Sequence, residues 1–81
     1  GAYPNPAYDD VTFQIYMNKT EDLSIQVFDL QGKEVFYDIM ENLYIGINYA
    51  KLNISSLAQG TYSFVIKSEN NVVSKSIVKT N

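Results

Sequence analysis

Apolar and polar residues alternate with a period of two along most of this 81-residue chain. Val11, Phe13 and Ile15 are interleaved with Thr12, Gln14 and Tyr16, which predicts a strand with one buried face. Leu23, Ile25 and Val27 alternate with Ser24 and Gln26 and predict a second. Between these runs, Asn18-Lys19-Thr20-Glu21-Asp22 is polar and turn-prone. Asp29-Leu30-Gln31-Gly32 reads as a tight turn, with Asp29 suited to its first position and Gly32 to its last. Lys33 to Ile39 is then the partner strand of a hairpin. Met40 to Gly46 is compatible with a short strand or with a loop pinned by Leu43, Tyr44 and Ile45.

The alternation resumes with Ala50, Leu52 and Ile54 against Tyr49, Lys51 and Asn53. Ser55 to Gly60 is a connection, and Tyr62, Phe64 and Ile66 mark the inner face of the next strand. Glu69-Asn70-Asn71 has the residues of a hairpin turn, and Val72 to Val78 is the last strand. Short strands separated by turn signals every 8–12 residues or so predict an Ig-like antiparallel β-sandwich of six or seven strands, all-β. The length predicts one domain over 1–81, with residues 1–9 as a proline-containing lead-in.

Composition narrows the function. Cys, His, Arg and Trp are all absent, and the net charge is −3. Disulfides and thiolate metal sites are excluded, and the commonest general base and metal ligand is missing. A basic footprint for nucleic acid is lacking. No apolar run is long enough to insert into a membrane as a helix, and no signal peptide is visible, so an export signal is expected upstream on a longer parent chain. With no nucleophile–base pair legible, the expectation is a non-catalytic domain without a cofactor.

Particular residues carry the remaining information. Pro4 and Pro6 in Tyr3-Pro4-Asn5-Pro6 lack N–H groups and stiffen the lead-in. Asn5, Asp9 and Asp10 offer oxygens for calcium, but fewer than the six to eight that ion takes, so a solvated loop is the simpler reading. Asn18-Lys19-Thr20 and Asn53-Ile54-Ser55 match the glycosylation tripeptide, a pattern frequent by chance. Leu57 is placed to plug the core, Gly60 to take a turn conformation closed to residues with a Cβ, and Tyr62 to form a tyrosine corner. Lys75 and Lys79 fall on the same face of the last strand. They are expected to present paired ammonium groups that guard an edge against aggregation or offer a receptor a charge pair. An edge strand also leaves self-association open.

In this order the motifs resemble the type A C-terminal sorting domain of the type IX (Por) secretion system of Bacteroidetes. The resemblance spans the chain: Tyr3-Pro4-Asn5-Pro6, the strand and turn Val27 to Val35, Asn53 to Leu57 leading into Gly60-Thr61-Tyr62, and Lys75 with Lys79. It departs from the commoner pattern at Ala50, where a larger aliphatic is frequent. It implies a secretion signal fused to an upstream cargo domain, carrying its parent through the periplasm and the outer-membrane translocon to the cell surface or medium. It further implies cleavage by a surface sortase and recognition by translocon components at Lys75, Ile77, Val78 and Lys79. The rival is an Ig-like or fibronectin-type adhesion module. There the corner tyrosine usually comes one residue later after the glycine, and one residue reverses the face in a strand.

Overall fold

The computed structural model describes residues 1–69 and 71–81, so the turn residue Asn70 lies outside the described residues. Seven strands follow one another: β1 (Ala2–Tyr3), β2 (Asp10–Met17), β3 (Glu21–Phe28), β4 (Glu34–Leu43), β5 (Gly46–Asn53), β6 (Gly60–Lys67) and β7 (Val72–Lys79). They form two antiparallel sheets, ordered β1-β2-β5 and β4-β3-β6-β7. No helix is long and apolar enough to cross a membrane among the described residues. The expected all-β sandwich of two sheets is what the chain forms.

The core is the sum of the alternating faces. Val11, Phe13, Ala50 and Leu52 from the smaller sheet meet Leu23, Ile25, Val27, Tyr62, Phe64 and Ile66 from the larger, and all are buried. Phe13 and Phe64 meet across the layers with ring centroids 5.3 Å apart and tilted by 39°, a geometry that adds roughly 0.5–1.5 kcal/mol beyond burial. Ala50 stands directly opposite Phe13 on the neighbouring strand, so the small residue neighbours the largest buried ring of its sheet.

The Asp29 turn forms as its residue types dictate. Asp29 Oδ1 accepts from the N–H groups of Gln31 and Lys33, each at 2.9 Å, and Gly32 has φ of 83°. Met40 to Leu43, left open by the sequence, continues β4. Glu41 and Asn42 together oppose Asp22, because the register steps from Leu23↔Met40 to Glu21↔Leu43. That is a bulge: Asn42 takes φ of 55° and its N–H donates to Asp22 Oδ1 at 2.8 Å. Tyr44 and Ile45 pin nothing and are exposed. The connection is held instead by buried Asn48, whose Nδ2 donates to the carbonyls of Tyr44 (2.8 Å) and Gly46 (3.2 Å).

Candidate functional site: the seam between the chain ends

β7 is the edge of the larger sheet, with β6 its one strand neighbour there among the described residues. An open edge exposes a row of unpaired N–H and C=O groups. Here the lead-in occupies the row over the second half of the strand. Asn5 Oδ1 accepts from the Val78 N–H at 3.0 Å, and Asn5 Nδ2 donates to the Ser76 carbonyl at 3.2 Å. Ala7 N–H donates to the Val78 carbonyl at 2.7 Å, and Thr80 N–H donates to the Ala7 carbonyl at 2.8 Å. Neither proline has an N–H to give a strand. The side-chain amide between them, with one acceptor and two donors, does the work of a backbone unit. Ala7 is fully enclosed. The lead-in is therefore part of the sandwich, with Ala2 and Tyr3 already paired to Phe13 and Thr12.

Strand parity continues through β7. Val73, Lys75, Ile77 and Lys79 stand opposite Ile66, Phe64, Tyr62 and Gly60, and so share the inner face. Ile77 and Lys79 are buried, at 2% and 4% exposure, whereas Lys75 is exposed and Val78, on the outer face, is 41% exposed. The lysines share a face as expected, but they do not present two exposed ammonium groups. One end of that face is covered by the lead-in and the other is not. Lys79 Nζ donates to the Thr80 carbonyl at 3.0 Å. Among the described residues neither lysine has a carboxylate within ion-pair distance.

The tyrosine corner is present. Tyr62 is buried and its hydroxyl donates to the Ala58 carbonyl at 2.6 Å, with Leu57 packed against the core. Gly60 is the first residue of β6 rather than part of the turn, which lies before it, but its φ of 159° is one that residues with a Cβ rarely adopt. Of the side chains that could offer oxygens to calcium, Asn5 is committed to β7 and Asp10 pairs with Lys51 at 3.6 Å. Among the described residues no group of three acidic side chains is placed to hold a metal ion.

Motifs from the two ends of the chain, more than seventy residues apart, thus form one edge. A family model described as the secretion system C-terminal sorting domain matches residues 1–80. The chain belongs to that family. No curated protein matches the chain. As a type IX sorting domain it is an export signal for the cell surface or extracellular space, in a family that is in general non-catalytic. In this sorting domain the sequence pointed to Tyr3, Pro4, Asn5 and Pro6 at one end and to Lys75, Ile77, Val78 and Lys79 at the other, but not to their contact. Ala7 was missed altogether. The available signal was the asparagine itself, the one side chain between two prolines able to pair with a strand edge.

Proposed function

We propose that this domain is the tail of a longer secreted protein, and that the translocon reads it at β7. The supporting observation is that β7 is divided in two. Its second half is bonded on both sides and keeps Ile77 and Lys79 buried. Over Val72 to Lys75 every side chain is exposed and only β6 pairs with the strand. A receptor meets Lys75 and Val78 as accessible side chains, while Ile77 and Lys79 fix the strand that displays them. An exposed strand edge beside a hydrated ammonium group suits docking by an extended segment or a polar receptor surface.

Passage through the periplasm, delivery to the outer-membrane translocon, cleavage by a surface sortase and attachment or release at the surface complete this reading. The covalently fused cargo is the passenger. A periplasm-targeted fluorescent reporter ending in residues 1–81 tests it: the reporter should reach the surface or medium of a host with the translocon. Equal export from a translocon-null strain would overturn it.

A further inference from the structure

The two sheets do not close over each other along their whole length. Between β2 and β7 lies a groove of about 190 Å³ lined by Phe13, Ile15, Tyr16, Ile66, Val73 and Lys75, with Gly1 at its rim. It runs on past Met17 and Leu23 into a second hollow of about 320 Å³. Val73 belongs to the inner face yet is 48% exposed, and Ile15 is only half-buried. Apolar inner-face residues are uncovered here among the described residues.

The register of β1 shows what continues it. Ala2 stands opposite Phe13 and Tyr3 opposite Thr12, and the Gly1 carbonyl accepts from Gln14 N–H at 2.8 Å. Gly1 and Gln14 are thus a hydrogen-bonded pair, and the alternation of an antiparallel ladder makes Tyr16 the next residue whose N–H and C=O face this side. Among the described residues no strand pairs with Tyr16 there. Going upstream from Gly1, the backbone direction of β1 runs along this edge and over the groove.

We infer that the few residues preceding Gly1 in the parent protein extend β1 along β2, pair with the backbone of Tyr16, and fill the groove between the sheets. This rests on the reading of the domain as the tail of a longer chain. Parity fixes the pattern. Ala2 is partly buried against the core, so the residue directly before Gly1, opposite Ile15, and the third before it, opposite Met17, face inward and are apolar. The second before Gly1 faces outward and exchanges both backbone hydrogen bonds with Tyr16. The strand that begins the domain is then five or six residues long rather than two, in line with ordinary strands. The linker that joins cargo to sorting domain becomes part of its fold.

Amide hydrogen exchange on the full-length parent, resolved to single residues, tests this. The Tyr16 amide should be protected, and should exchange at least about tenfold faster when both inward positions before Gly1 are changed to Lys. The Ile15 amide faces β5, stays slow in both proteins, and reports that the domain is folded. A Tyr16 amide that exchanges freely in the unaltered parent overturns the inference. So does one that stays equally protected in the Lys variant, because the cover then comes from another part of the parent. Exchange is measured whether or not the parent is exported, so a failure of the sorting reading leaves this result standing.

Discussion

The two halves of β7 have the same kind of sequence and opposite circumstances. Val72-Val73-Ser74-Lys75 and Ser76-Ile77-Val78-Lys79 each hold two adjacent apolar residues and a serine, and each end in lysine. The second half is sealed by Asn5 and Ala7 on its free edge and by the core on its inner face. The first half is paired on one side only and exposed throughout. The difference separates holding the fold from displaying a surface, within one strand of eight residues. Strand pattern alone does not decide which lysine does which; contacts from the far end of the chain do.

The largest effect should come from the residue supporting the sealed half from beneath. Tyr62 pairs with Ile77 and bonds Ala58. Tyr62→Ala should cost about 3–5 kcal/mol, a large share of the stability of a domain this size, and denaturant unfolding should show it. A loss below about 1 kcal/mol would mean that the corner does not carry the sealed half.

A paired comparison within the strand sharpens the contrast. Ile77→Ala should cost about 2–5 kcal/mol. Val73→Ala, at the open end of the same face, should cost less than about 1 kcal/mol. Similar costs would mean that the groove beside Val73 is closed in solution.

The seal itself is tested next. Asn5→Ala removes two side-chain hydrogen bonds from the edge and should cost about 1–2 kcal/mol. Amide exchange should rise at Val78, which loses its acceptor, and should be unchanged at Ser74.

The smallest effects divide the lysines. The chain of Lys79 is enclosed, so Lys79→Ala should cost about 1–2 kcal/mol through lost packing, and Lys79→Met should recover most of it. Lys75→Ala should stay within about 0.5 kcal/mol of the parent domain. Sequence reasoning gives both lysines the exposed status typical of the residue, and for Lys79 that expectation fails.

The legible parts of the fold are those where side-chain period and burial coincide. Val11 and Phe13, Leu23 to Val27 and Ala50 to Ile54 alternate without interruption, Tyr62, Phe64 and Ile66 recur at the same period of two, and each set faces the core. The Asp29 turn and the Tyr62 corner were legible because they depend on residues within four positions of each other. The end of β4 was not, because the bulge at Glu41 and Asn42 breaks the period by which a strand is recognised. Strand β1 was not legible because two residues are too few to show a period. The seam was half legible: its residues stood out individually, but their meeting depends on hydrogen bonds that span 71 and 73 positions.

The central claim is that the export machinery reads the side chains that β7 leaves accessible, Lys75 above all, and that buried Ile77 and Lys79 only hold the strand in place. The most direct measurement is export of a reporter ending in residues 1–81, scored for Lys75→Ala and Lys79→Met beside the thermal midpoint of each domain. Lys75→Ala should melt with the unaltered domain and be exported poorly; Lys79→Met should melt with it and be exported normally. A Lys75→Ala domain that is folded and exported at the normal rate would contradict the claim and leave that lysine as a guard of the edge.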